Sequence, residues 1–422
     1  WGNFPAASVG WRISNEPFFD VEAINNLKLR VGWGQNGNSD VPSYATIDSY
    51  KSSSSTSNYP IDGSQSSVDL GFVQTRNGNA NLKWETTTQT NVGLDLGFLS
   101  GDLNLTLDFF NKDTKDLLWR RALPASIGGT NMTVWDNVGK MNNKGFEMEV
   151  NYQKAYNFSI IKNKMTELNG VDYIGLSSSE LHGRNFDQET SRSAVGQPIG
   201  SFFVYEADGL FQNDAEIQNY KNDKGELLQP NAKPGDIRFK DLNGDGVINS
   251  EDRDFVGSPL PDCSMGLTLG FNYKNFDISA FFQGVFGNEV YNLTNYLGEF
   301  YNQAQYNKNS TILDAWRPDH TNTDIPRVTL DDPNNNNASF VRLKNLKIGY
   351  TLPDRITSKL KLKRTYIYLQ GQNLFTITGY NGIDPEVGLQ SYSSENRNLD
   401  MGVDRGVYPL PRTFTLGVNV NF

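Results

Sequence analysis

Residues 241 to 252 read Asp241-Leu242-Asn243-Gly244-Asp245-Gly246-Val247-Ile248-Asn249-Ser250-Glu251-Asp252, with oxygen donors at regular intervals. Asp241, Asn243 and Asp245 occupy loop positions one, three and five, and Gly246 permits the sharp turn that lets them converge. Val247 offers a backbone carbonyl at seven, Asn249 stands at nine, and Asp252 closes the loop at twelve. That order matches a calcium loop, with Ile248 placed to anchor it on apolar neighbours. Aspartate at the last position is shorter than glutamate, which suits binding through one oxygen. No flanking helix pair is evident. The competing reading is a turn cluster of Asp, Asn and Gly without an ion. An ion here would be structural, because three carboxylates in one short loop repel unless neutralised.

Other chemistry is sparser. Trp119, Trp135 and Trp316 fall in or near loops, where an indole could stack on the apolar face of a sugar. Packing or interface anchoring competes with that reading for each ring. Tyr291, Tyr296 and Tyr301 lie in one long polar segment, placed to meet cargo or a partner. Asp331 and Asp332 lack a positioned partner, so no hydrolase pair appears. There is no Ser-His-Asp set, P-loop or dinucleotide fingerprint, so neither an enzyme nor an organic cofactor is expected. One cysteine, Cys263, excludes an internal disulfide framework, and His182 and His320 are too far apart to suggest zinc. The formal charge of -10 argues against nucleic acid or an anionic membrane surface as partner.

The elements that carry these residues are strands. Phe414, Leu416, Val418, Val420 and Phe422 alternate with Thr413, Thr415, Gly417, Asn419 and Asn421. Apolar and polar side chains on opposite faces describe a strand between lipid and a watery lumen. The same period runs through 91–98, 103–109, 146–152 and 265–273. Less regular candidates are 5–14, 25–36, 158–168, 198–210, 276–287, 339–351 and 363–376. In 339–351 the apolar face switches between Leu343 and Leu346, which predicts a bulge near Asn345. A single alternating stretch fits a soluble sandwich equally well. Many long ones favour an all-β transmembrane antiparallel barrel, of which about fourteen strands are counted here. Aromatics at 12%, with 19 Tyr and 25 Phe, suit interfacial girdles, and 39 Gly suit many turns. No run of 18 apolar residues exists, so a membrane helix is not expected.

Connection lengths are unequal. Tyr273-Lys274-Asn275-Phe276 is a tight turn and 352–362 a modest one, whereas about 211–261, 288–338 and 377–410 are long and polar. Short turns belong to the periplasmic side and long loops to the exterior, which puts the C-terminus in the periplasm. An open sheet in lipid would leave edge groups unpaired at a cost of several kcal/mol each, so a further portion is expected to complete the barrel. Trp1 opens within a patterned segment, which reads as a cut.

Eight blocks resemble the C-terminal half of SusC-like (SusC/RagA-type) TonB-dependent outer-membrane transporters. They are WGNFPAASVGWRISNEPFF at 1–19, LKWETTTQTNVGLDLGF at 82–98, DNVGKMNNKGFEMEV at 136–150 and VGQPIGSFFVYEADGLFQ at 195–212. The others are PGDIRFKDLNGDGVINSEDRDFVGSPLPD at 234–262, SFVRLKNLKIGYTLP at 339–353, YIYLQGQNLFTITGYNGIDPEV at 366–387 and YPLPRTFTLGVNVNF at 408–422. The resemblance covers essentially the whole chain and lacks the family's plug and first strands. It implies a barrel of about 22 strands in the outer membrane of a Gram-negative bacterium. A SusD-like lipoprotein would lid its outer mouth, and TonB-ExbB-ExbD would act through the portion absent here. The implied cargo is oligosaccharide, with peptide as the alternative. Phe414, Leu416, Val418, Val420 and Phe422 resemble the terminal signal read by the barrel-assembly machinery, although Phe422 also suits a girdle. A secreted, calcium-stabilised carbohydrate-binding protein and a siderophore or cobalamin receptor are the other readings.

Overall fold

The computed structural model describes residues 2–41, 43–52, 57–59, 69–123, 133–152, 155–177, 189–295, 307–327, 335–388 and 401–421. Eleven long strands follow one another as an antiparallel meander. They are β1 (Ala6–Arg12), β2 (Ile24–Asn38), β3 (Glu85–Phe98), β4 (Leu103–Lys115), β5 (Gly139–Tyr152) and β6 (Ala155–Leu168). Next come β7 (Cys263–Tyr273), β8 (Phe276–Phe286), β9 (Phe340–Thr351), β10 (Arg364–Thr378) and β11 (Thr413–Asn421).

Register converts the alternation of each strand into continuous rows. Trp11, Leu29, Leu94, Leu107, Met148, Phe158 and Met265 stand opposite one another across seven strands. Phe271, Ile278, Ile348, Leu369 and Leu416 do the same across the last five. Between them run polar rows on the other face, such as Arg30, Gly93, Asp108, Glu147, Ser159 and Ser264. Leu416 is 73% exposed and Phe414 69%, so among the described residues no second protein layer covers these apolar side chains. An uncovered apolar face of this extent needs a solvent other than water.

Among the described residues the principal sheet has eleven strands, against about fourteen counted from the sequence with every uncertain segment included. Candidate 198–210 supplied part of the excess. Its residues form the strands Ser201–Tyr205 and Ala207–Leu210, which pair in small separate sheets. The bulge is where the face switch put it: Phe281 and Phe282 of β8 oppose Asn345 and Leu343, so Lys344 is the extra residue against β8. Among the described residues no helix is long and apolar enough to cross a membrane.

Connections alternate strictly between the two ends of the sheet. One end carries the tight links 99–102, 153–154 and 274–275 together with 13–23 and 352–363. The other carries 39–84, 116–138, 169–262, 287–339 and 379–412. The globular core lies at that second end. Phe202, Phe211 and Leu293 are fully buried there, and Phe202 packs with Tyr291, Leu293 and Val403. Tyr173–Ser177, Glu189–Ala194, Ser201–Tyr205 and Arg253–Gly257 make a four-stranded sheet within 169–262, and Tyr291 pairs in parallel with Val403 across two different connections.

Replacing Leu416 with lysine should destabilise the membrane-inserted protein by about 2–4 kcal/mol, because the cation would face hydrocarbon. Thr415→Lys, on the polar face, should cost much less. Urea titration in lipid vesicles distinguishes them, and equal losses would contradict the assignment of faces.

Candidate functional site

Charge on the polar face is organised in pairs. The Arg30 guanidinium donates to Asp95 at 2.9 Å and to Asp108 at 3.0 Å, so one cation on β2 ties β3 and β4 together. Asp108, Glu147, Glu149, Asn157, Ser159 and Gln283 line a cavity of about 510 Å³ on the sheet. Carboxylates, amides and hydroxyls can exchange hydrogen bonds with a polar solute, and the Ser159 hydroxyl donates to Glu147 at 3.4 Å. Sequence reasoning missed this wall, although its signal was present as the polar half of each alternating strand.

A second cavity of about 310 Å³ opens where β6 and β7 part. The two strands pair only from Ala155–Thr268 to Ser159–Ser264, and beyond that point Leu260 and Ile199 from connection 169–262 meet Met141 and Met401. Asn163 holds the seam by accepting from the Ile199 N–H at 2.8 Å and donating to Asn143 at 2.6 Å.

The loop 241–252 is folded by its own side chains. The Asp241 carboxylate accepts from the N–H groups of Gly244 and Gly246 at 2.8 and 2.9 Å. Asn243 accepts from Asp245, Asp245 from Val247 and Asn249 from Glu251, each at 2.8 Å. Asp252 is fully buried and clamps the loop shut, accepting from Leu242 at 3.0 Å and from Asn249 at 2.7 Å. Gly244 and Gly246 have φ of 73° and 86°, the left-handed region that these positions demand. Among the described residues no three carboxylates, histidines or cysteines converge as a metal cluster, so the donors are ordered by backbone N–H groups.

The aromatic candidates turn inward. Trp119 is 8% exposed and packs with Val138, Trp316 is 7% exposed, and Tyr291 is 2% exposed against Phe202. Trp316 donates to Gln212 at 3.0 Å and lies over Gly235, where an added Cβ would come within 2.4 Å of the ring. These three rings build the loop layer and present no free face for stacking in this conformation. Trp135 is half-buried in the strand Thr133–Asn137. Tyr296, Tyr301 and Phe422 lie outside the described residues. Phe414, Leu416 and Val418 are exposed on β11 and Val420 is half-buried there.

Two buried ionic anchors fix connection 379–412 at its root. Arg342 on β9 is 3% exposed and donates to Asp384, to Glu386 at 2.9 Å and to Thr376 at 2.8 Å. Lys344 joins Glu386 at 2.6 Å. Burial alone would raise the Asp384 carboxyl, but the Glu386 N–H, the Arg342 guanidinium and the Leu410 N–H together hold it below the usual carboxylate range. Farther along, the buried Tyr380 hydroxyl donates to Asp404 at 2.7 Å. Burial, followed by the Asp404 charge, pushes that phenol well above its ordinary value.

Comparison with known proteins follows from this geometry. A family model described as "TonB dependent receptor-like, beta-barrel" matches residues 1–374. TonB-dependent receptor P3 of Formosa agariphila is 35% identical, covering 99% of this chain and 42% of its own length. TonB-dependent receptor SusC of Bacteroides thetaiotaomicron is 30% identical, covering 100% of this chain and 40% of its own length. Among solved structures, the RagAB peptide transporter matches with a TM-score of 0.75 at 24% identity, over 99% of this chain and 43% of that one. That likeness is one of fold. The chain spans about two fifths of the length of the relatives it matches.

Arg342→Ala should destabilise the protein by about 3–5 kcal/mol, since it strands a buried carboxylate. Pairing Arg342→Met with Asp384→Leu should recover most of the loss. Because the Asp384 pKa is depressed on folding, its contribution is complete above the ordinary carboxylate range and fades as pH falls through the lower folded value. Segment 380–388 should therefore resist protease at neutral pH and loosen only below about pH 4. Unchanged cleavage of the Arg342→Ala protein would remove the anchor from the account.

Proposed function

The chain belongs to the TonB-dependent receptor-like β-barrel family, and from that premise we propose that it forms part of the wall of a SusC/RagA-type outer-membrane importer. One observation carries the reading: apolar rows, one across the first seven strands and one across the last five, lie on one face while ionic and hydroxyl groups occupy the other. Hydrocarbon outside and a watery lumen inside satisfy both faces at once. The strict alternation of tight and long connections supports a periplasmic C-terminus and extracellular long loops.

Strands β1 and β11 stand at the two borders of the sheet. Unpaired N–H and C=O groups in lipid cost several kcal/mol each, so further strands of the same receptor complete the ring. The plug and the TonB-ExbB-ExbD contact belong to that remainder. Oligosaccharide is the proposed cargo, supported by the polar wall, whose carboxylates, amides and hydroxyls suit hydroxyl-rich solutes, and peptide, which the RagAB protein transports, is the alternative. A SusD-like lipoprotein would close the long-connection end.

Loop 241–252 is proposed to hold structural calcium. The donor order supports this, and so does a loop already folded around its carboxylates.

The whole receptor should sediment with outer membranes, require detergent and migrate differently on gels before and after heating. A monodisperse, detergent-free product would favour the secreted β-rich reading instead. Glycans should be recovered by mass spectrometry from the purified complex, and recovery of peptides alone would reassign the cargo. Calcium should protect segment 236–256 from proteolysis, and identical cleavage with calcium and with chelator would dismiss the ion.

A further inference from the structure

Connection 352–363 and the first residue of β10 carry the densest run of positive charge in a chain whose formal charge is -10. Arg355, Lys359, Lys361, Lys363 and Arg364 are all exposed, and among the described residues none is held in an ion pair. Only Asp354, itself exposed, interrupts the run. Ile356 within it is 44% exposed.

The position of this run gives it meaning. It sits at the tight-turn end of β9 and β10, one step beyond a band of rings on the apolar face. Tyr273 opposes Phe276, Phe276 opposes Tyr350, and the Phe276 and Tyr350 rings lie 4.6 Å apart. Farther along the same border Tyr152 is 46% exposed and Tyr156 41%. Amphipathic rings in such a band mark the plane where acyl chains give way to headgroups. The neighbouring turn is joined to the run, since Thr351 N–H donates to the Asn275 carbonyl at 2.8 Å and the Asn275 amide returns a bond to the Thr351 carbonyl at 2.8 Å. Lys274 of that turn reaches back over the Tyr273 ring at 5.3 Å. Six cations thus share one end of the sheet, beside that band of rings.

We propose that this border binds the headgroups of anionic phospholipids in the leaflet that faces the tight turns. The inference rests on the chain being a barrel wall. Whole-molecule charge argues against an acidic surface as partner, but headgroup attraction falls off within a Debye length, so the local cations decide. Close-set lysines and arginines beside a membrane-crossing segment attract anionic lipid additively, whereas one snorkelling lysine would do so only weakly.

The test uses the intact receptor in vesicles of phosphatidylethanolamine containing a minority of phosphatidylglycerol, with co-purifying lipid counted by native mass spectrometry. The wild-type protein should retain phosphatidylglycerol selectively. Lys359→Gln/Lys361→Gln/Lys363→Gln should lower that enrichment by about tenfold or more, and added salt should lower it in the wild type. Equal enrichment in variant and wild type would overturn the proposal. So would displacement of the lipid by inorganic phosphate, which would identify a free-anion site. Heat-modifiable migration of the variant checks that the barrel is intact. Should the receptor prove water-soluble, fractionation reveals the failure of the barrel reading before any lipid is added.

Discussion

Backbone groups in hydrocarbon have no water to bond, so every N–H and C=O of a crossing segment must find its partner within the protein. A meander of adjacent antiparallel strands meets that demand locally, because each strand pairs with the one before and the one after. The same constraint sorts the side chains. Once the ladder consumes the backbone, alternate residues must face opposite solvents, and a slip of one residue would exchange the faces. Leu369 between Ile348 and Leu416 therefore fixes register as well as contributing apolar surface.

At the long-connection end water is available again, and ordinary folding rules return. The buried residues gather there: Phe202, Phe211, Leu293 and Val403 pack as they would in a soluble domain. Arg192 shows how a charge enters this layer. Arg192 lies 3.7 Å from the centroids of both the Tyr173 and Phe203 rings and pairs with Glu189 at 2.6 Å. Such a site suits a guanidinium because its planar, weakly hydrated charge tolerates stacking that an ammonium would not. Wall and loop layer thus obey two physical regimes, and the cavity where β6 leaves β7 marks the seam between them.

That division explains what could be read from the sequence. Each of the eleven wall strands overlaps a candidate segment, because lipid enforces period-two alternation, although β3 and β5 begin six and seven residues before the alternation was read to start. The bulge at Lys344 was visible for the same reason: an interruption shows only against a regular background. The loop layer left no such trace. Glu289–Asn292 and Val403–Asp404 are short, and their pairing joins residues more than a hundred positions apart. Aromatic candidates were found by type, but Trp119, Tyr291 and Trp316 are buried by partners distant in sequence. The Arg30 pairing with Asp95 and Asp108 was equally hidden, since nothing local tells a lumen-facing arginine which strands flank it.

The bulge links the two regimes. In an unbroken β9, residues 342 and 344 would share the polar face and 345 would turn to lipid. The extra residue instead keeps Asn345 opposite Phe281 and Gln372 while Leu343 stays with Phe282 and Phe375, so Lys344 is added to the inward side without breaking the outer row. Arg342 and Lys344 then converge on Glu386, with Asp384 beside it. Connection 379–412 is held at its start by these cations and near its end by Asp404, which pairs with Asn292 through the backbone and accepts from Tyr380. Lys344, the residue at the irregularity, is thereby the second cation of a loop anchor.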